Sequence, residues 1–317
     1  MNAVQSAYPQ PLATGTPGAR GGEAYPLGRM RDEWLRLRDA GLLLDTASMA
    51  RFVADGFLRF DAIVPDELNR AVLAGIADGT VTGGGGYVGE PLAGVWDAAH
   101  PIGRVLALPR VRGLIASLVG PESRYDHHAV HTVPARHPWA QGWHADAAID
   151  RKAHFDIQIM YFPQETTRAM GGTLILPGSQ FRMIHESEAV RYQNFRGQLH
   201  TVCPAGTMVV VHHGMWHCGQ PNRTDVTRSM FKLRLNPTVR QERLWDTRRP
   251  GDGDVHEILN RTQPWHGSDC RLEIINRIAL WRLVTGDAAW DSALWMGRIE
   301  NDPRAVISDR GADEDAS

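Results

Sequence analysis

Apolar and polar residues alternate along two stretches of this chain with a period of two. From His154 to Phe162, Phe155, Ile157, Ile159 and Tyr161 fall on one face and His154, Asp156, Gln158 and Met160 on the other, the pattern of a β-strand with two distinct faces. From Arg228 onward, Phe231, Leu233 and Leu235 form an apolar face, while Arg228, Met230, Lys232 and Arg234 share the opposite one. The run from Gly206 to His217 reads as a turn, an apolar strand, a tight turn and a second strand carrying the histidine. Outside this central block the period lengthens. Met30, Trp34 and Leu37 recur at helical spacing, Pro65 opens a helix that ends near Gly79, and Val111, Leu114, Ile115 and Leu118 mark a helix closed by Gly120. Near the other end, Ser268 can cap a helix with Ile274, Ile275, Ile278 and Trp281 as its stripe, and Trp290, Leu294 and Trp295 suggest a last short one. These elements predict a mainly β domain with flanking helices.

The strand pattern gives certain polar residues a shared direction. Residues i and i+2 of a strand point to the same side, so His144 and Asp146 are expected to aim an imidazole and a carboxylate at one point. His217 can supply a third ligand. Two histidines and one carboxylate cover one face of an octahedral iron and leave three positions open. Arg228, eleven residues beyond His217, can then grip a carboxylate with two parallel hydrogen bonds. Each piece also has a plainer reading: a core histidine, a chance His-x-Asp, a salt bridge on an edge strand. Zinc accepts the same donor set, which keeps a metal-dependent hydrolase and a non-catalytic metal-binding barrel in view. An arginine set to receive a carboxylate counts against both.

The segments Gln141 to Asp146, Gly171 to Ser179 and Gly206 to Arg228, with Pro221-Asn-Arg-Thr224 inside the last, resemble the phytanoyl-CoA dioxygenase family of Fe(II)/2-oxoglutarate oxygenases. The similarity extends from about residue 47, through Phe52 to Phe60, to about residue 238. It implies a double-stranded β-helix (a jelly roll, cupin-like), Fe(II) at His144, Asp146 and His217, and 2-oxoglutarate and O2 as co-substrates. It further implies Arg228 on the C5 carboxylate of 2-oxoglutarate, and oxidation of a substrate C–H bond, most simply hydroxylation, with release of succinate and CO2. His131 lies near where relatives place a residue that reaches 2-oxoglutarate, and the register between it and Thr132 is open. Gly219 stands where the family often has Ser or Thr, Gln180 where His is usual, and Tyr161 where Trp is common. Relatives that halogenate lack the carboxylate ligand; Asp146 is present. Trp143 and Trp216 flank the two imidazoles and, with Trp139, are candidates to wall the pocket; Gln158, Met160 and Tyr161 are further substrate candidates. Family habit favours a small specialised metabolite as substrate.

Composition narrows the partners. The 317 residues are 43% hydrophobic and 22% charged with a formal net charge of −2, ordinary for a globular protein with a substantial core. No run of five or more Lys or Arg appears, so neither nucleic acid nor a membrane surface is expected as a partner, and a CoA thioester is disfavoured. Three cysteines without C-x-x-C spacing argue against a disulfide framework and a structural zinc site. With no signal-like or eighteen-residue apolar segment, a cytoplasmic protein is expected. The domain reading is a disordered tail over 1–27, one oxygenase domain over 28–303 with its β core at about 125–237, and a flexible acidic tail over 304–317. The C-terminal helical stripe leaves a homodimer open.

Overall fold

The computed structural model describes residues 27–84, 89–146, 154–182 and 186–292. Most of the expected N-terminal tail, the acidic C-terminal tail, and Leu294 and Trp295 lie outside the described residues; Trp290 itself is not helical.

Among the described residues, six strands form one antiparallel sheet in the order β1-β7-β4-β9-β3-β2: β1 (Phe57–Phe60), β2 (Glu90–Pro91), β3 (Arg124–Val133), β4 (Ile157–Phe162), β7 (Thr207–His212) and β9 (Arg228–Asn236). A second sheet, in the order β6-β5-β8, comprises β5 (Thr173–Ile175), β6 (Leu199–His200) and β8 (His217–Gly219). Alternation along the strands gives the large sheet two buried faces. The outer one carries Ile157, Ile159 and Tyr161 of β4, Val210 of β7 and Phe231, Leu233 and Leu235 of β9, all in the main apolar core. Helices cover it: α2 (Thr46–Asp55), α3 (Asp66–Asp78), α5 (Pro109–Val119) and α8 (Cys270–Thr285) contribute Phe52, Val72, Leu114 and Trp281 to the same core. Each such side chain contributes about 1.5–3 kcal/mol by leaving water. The inner face presents Met160, Phe162, Val209, Val211 and Met230, which pack with Ile175 of the small sheet. Two sheets closed over a shared interior make the fold a double-stranded β-helix.

The remaining helices are α1 (Leu27–Asp39), α4 (Pro101–Leu106), α6 (Glu186–Ala189) and α7 (Val255–Asn260). Helix α2 was not among the periodic segments, yet both its ends are encoded. The Asp45 carboxylate accepts from Ser48 N at 2.7 Å, and Gly56 ends the helix with φ 77°, a left-handed conformation that favours glycine. That turn delivers the chain directly into β1. The expected cap of α8 differs: Ser268 lies in a 3-10 turn (Gly267–Asp269), and Asp269 takes the N-cap position without a side-chain bond. Among the described residues no helix is long and apolar enough to cross a membrane.

Candidate metal centre

His144 and His217 meet across the chain. They form an isolated antiparallel bridge in which His144 N donates to His217 O at 3.1 Å and His217 N to His144 O at 2.9 Å. Directly paired residues project to the same side of a ladder, and the two ring centroids lie 4.4 Å apart. Each ring is also locked by its own backbone: His144 Nδ1 lies 2.9 Å from Gly142 O and His217 Nδ1 3.0 Å from Met215 O. A carbonyl only accepts, so both Nδ1 atoms carry the proton and both Nε2 atoms present a lone pair. Those lone pairs face one carboxylate. His144 Nε2 is 3.8 Å from Asp146 Oδ1, and His217 Nε2 is 3.4 Å from Asp146 Oδ2. One ligand atom from each residue falls within 4.8 Å of the others, a spacing that suits three donors around one cation.

The electrostatics favour the ligating forms. Burial pushes the His217 imidazole down to about 4, which keeps it neutral. Burial also works to raise the Asp146 carboxyl, but the positive charge of Lys232, with Nζ 3.3 Å away, is among the neighbours that outweigh it and hold the group well below the usual carboxylate range.

Asp146 departs from the strand expectation. The ladder ends at His144, and Asp146 sits in a bend; its direction is set by other elements than the strand pleat. Lys232 of β9 places Nζ 3.3 Å from Asp146 Oδ2, a residue the sequence reading put on the polar face without a role.

A cavity of about 230 Å³ opens over His144 and His217, with Met160, Phe162 and Met230 among its apolar walls and His131, Arg228 and Lys232 among its polar ones. Arg228 is 5% exposed. Its Nη1 has no hydrogen-bond partner, Nη2 makes one long bond of 3.4 Å to Gln220 O, and among the described residues no carboxylate pairs with it. Burial pushes its guanidinium down to about 10, still charged at neutral pH. Cross-strand register gives His131 and Thr132 different neighbours. His131 pairs with Met230 and Thr132 with Ser229, so His131 turns inward with Met230 while the Thr132 hydroxyl faces Ser229 Oγ at 3.5 Å, though Thr132 also borders the cavity. His131 Nε2 is buried without a partner, and burial pushes its pKa down to about 4. Gly219 lines the cavity too, and Gln141 takes the room a side chain there would need: Gly219 N donates to Gln141 Oε1 at 2.9 Å.

The substrate candidates divide. Met160 lines the cavity. Gln158, 1% exposed, lies deeper on the same inner face, outside the cavity lining and beside Asp146, whose carboxyl it helps to lower. Three others are corrected. Trp143 and Trp216 adjoin His144 and His217 in sequence, and alternation therefore turns them to the opposite side, where they pack with Leu174, Leu176 and Cys218. Tyr161 faces the helical layer and donates its hydroxyl to Asn69 Oδ1 at 2.7 Å. Trp139, 74% exposed, is the tryptophan that lines the cavity, together with Gln141 and His137, which the sequence gave no reason to select. Cys218 belongs to the packing layer, where burial pushes its thiol up to about 12.

Residues 95–230 match the family described as phytanoyl-CoA dioxygenase (PhyH). No curated protein matches the chain. Among solved structures it is similar to EctD from S. alaskensis with 2-oxoglutarate and 5-hydroxyectoine: 17% identity, TM-score 0.45, covering 61% of this chain and 76% of that one. It is also similar to HygX from Streptomyces hygroscopicus with iron bound, at 11% identity and TM-score 0.48, covering 62% of this chain and 88% of that one. AviO1 from Streptomyces viridochromogenes Tue57 is similar at 17% identity and TM-score 0.47, covering 62% of this chain and 96% of that one.

Proposed function

On the match of residues 95–230 to the phytanoyl-CoA dioxygenase family and the geometry of the site, we propose that this chain is an Fe(II)/2-oxoglutarate-dependent dioxygenase that hydroxylates a C–H bond of a small specialised metabolite. The observation that carries this reading is the buried Arg228, paired with no carboxylate among the described residues, opening on the same cavity as His144 and His217. A buried cation without a counter-charge is costly, and a carboxylate ligand removes that cost. Hydrolysis at a metal does not in itself require such a receptor.

The residues fit the group that the family implies. His144 and His217 offer neutral Nε2 donors and Asp146 an ionised carboxylate, a set suited to Fe(II) that leaves positions for other ligands. Bound there with 2-oxoglutarate and O2, iron supplies the oxidising power for C–H cleavage, and the keto acid leaves as succinate and CO2. The protein's share is placement. Arg228 holds the far carboxylate of the keto acid and so fixes its direction of approach. His131, neutral and unpartnered at Nε2, offers a second polar contact beside it. Met160, Phe162 and Met230 keep water from the reacting centre, and Trp139 at the cavity offers an aromatic surface for substrate.

Anaerobic titration of Fe(II) and 2-oxoglutarate, followed by visible absorbance, tests the reading, with succinate release under air as the second readout. Wild type is expected to form the coloured complex, and Asp146→Ala to lose metal binding and turnover. A fully active Asp146→Ala enzyme would refute the ligand assignment.

A further inference from the structure

Of the three ligands in the proposed metal centre, two are held by their own backbone and one is not. The imidazoles are fixed by a reciprocal main-chain bridge and by Nδ1 bonds to carbonyls. Asp146 has neither support: it lies in a bend beyond the end of the ladder. An aspartate in that position turns freely about two side-chain torsions, and ordering it costs conformational entropy.

β9 reaches across to it twice. Lys232 Nζ approaches Asp146 Oδ2 at 3.3 Å, and Arg234 Nη1 donates to the Asp146 main-chain carbonyl at 3.3 Å. Arg234 is itself anchored, with Nη2 2.5 Å from Asp156 Oδ2 in a buried pair. Lys232 and Arg234 are i and i+2 on one strand, so both project to its inner face. That strand is paired on both sides, to β3 and to β4. A rigid central strand thus holds both the main chain and the carboxylate of the ligand that lacks a strand of its own.

Resting on the metal-centre reading above, we propose that Lys232 and Arg234 are positioning residues for that centre: β9 orients Asp146 for the metal through them, as it supplies Arg228 for the co-substrate. Lys232 and Arg234 then act on the metal through Asp146. The competing account is electrostatic. An ammonium beside Asp146 repels a divalent cation, and on that account alone its removal tightens metal binding. The two accounts differ in sign.

The test measures Co(II) binding by calorimetry, without 2-oxoglutarate, together with the visible spectrum of the Co(II) protein. Lys232→Met is expected to weaken Co(II) binding about 10- to 100-fold, the usual effect of losing a partner that orients a metal ligand, and to alter the spectrum. Lys232→Arg restores both, because it returns a charged donor to the same carboxylate. Arg234→Met leaves Asp156 buried and unpaired and endangers folding, so Arg234 is tested as Arg234→Met with Asp156→Leu, again with weakened binding expected. Unfolding of the metal-free variants serves as the control for fold. Unchanged or tighter Co(II) binding by Lys232→Met, with the wild-type spectrum, overturns the inference and leaves the metal centre standing. Failure of the wild-type protein to bind Co(II) overturns the metal centre and the inference together.

Discussion

Replacing Arg228 with methionine should move two measurements in opposite directions. The guanidinium is 5% exposed with Nη1 unbonded, so without the keto acid it is a buried cation with one long hydrogen bond. Exchanging a poorly satisfied buried charge for an apolar side chain of similar shape is neutral or stabilising by about 1–4 kcal/mol. With the keto acid bound, the same group makes two charge-assisted bonds, and removing one partner of a buried pair costs about 3–5 kcal/mol. At about 1.4 kcal/mol per decade, that loss is roughly two to four decades in 2-oxoglutarate affinity. Calorimetry with Mn(II) and 2-oxoglutarate under anaerobic conditions reads the affinity, and thermal unfolding without 2-oxoglutarate reads the stability. Metal affinity should be untouched, and Arg228→Lys should be intermediate because an ammonium cannot present a fork. Near-wild-type 2-oxoglutarate affinity in Arg228→Met, or collapse of metal binding in it, would show that this arginine is not the carboxylate receptor.

Two further outcomes test other parts of the structure. A Cβ on Gly219 would lie 2.8 Å from Gln141 Oε1, the end of a flexible side chain that can swing aside, so Gly219→Ser should cost only about 0.5–1.5 kcal/mol through loss of the Gly219 N hydrogen bond and cost markedly less in a Gln141→Ala background. Equal costs in the two backgrounds, read by urea unfolding, would mean that Gln141 is not what fills that space. His266 is 2% exposed, and burial, with Arg277 and Arg182 adding to it, pushes its pKa down to about 3. The unfolded chain takes up this proton near pH ~6.5 while the folded one does not until about 3, so its stabilising effect is present above the unfolded value and lost as pH falls. Between pH 7 and pH 5 the loss is about 2 kcal/mol; His266→Asn should flatten the unfolding free energy over that window by this amount, and an unchanged slope would rule out the assignment.

Much of this fold is local enough to be written in the chain. Period-two alternation is a property of the extended backbone itself, so the division of β9 into Phe231, Leu233 and Leu235 against Arg228, Met230, Lys232 and Arg234 holds in the structure without adjustment. The same rule, applied to the neighbours of His144 and His217, turns Trp143 and Trp216 away from the cavity; choosing them as pocket walls weighed closeness along the chain over direction. The short helix α2 escaped the apolar period, which needs several turns to emerge, although Asp45 and Gly56 mark its ends.

Residue identity and spacing along the chain determined which side chains are available: two imidazoles, one carboxylate and one guanidinium, with the strand faces that carry most of them. Tertiary pairing decided what these groups meet. The different neighbours of His131 and Thr132 depend on register with Met230 and Ser229, the space at Gly219 on Gln141 from another loop, and the direction of Asp146 on Lys232, 86 residues away. Contacts of that kind have no period along the chain, because register and loop approach follow from which strands close against which, and that closure is a property of the whole fold.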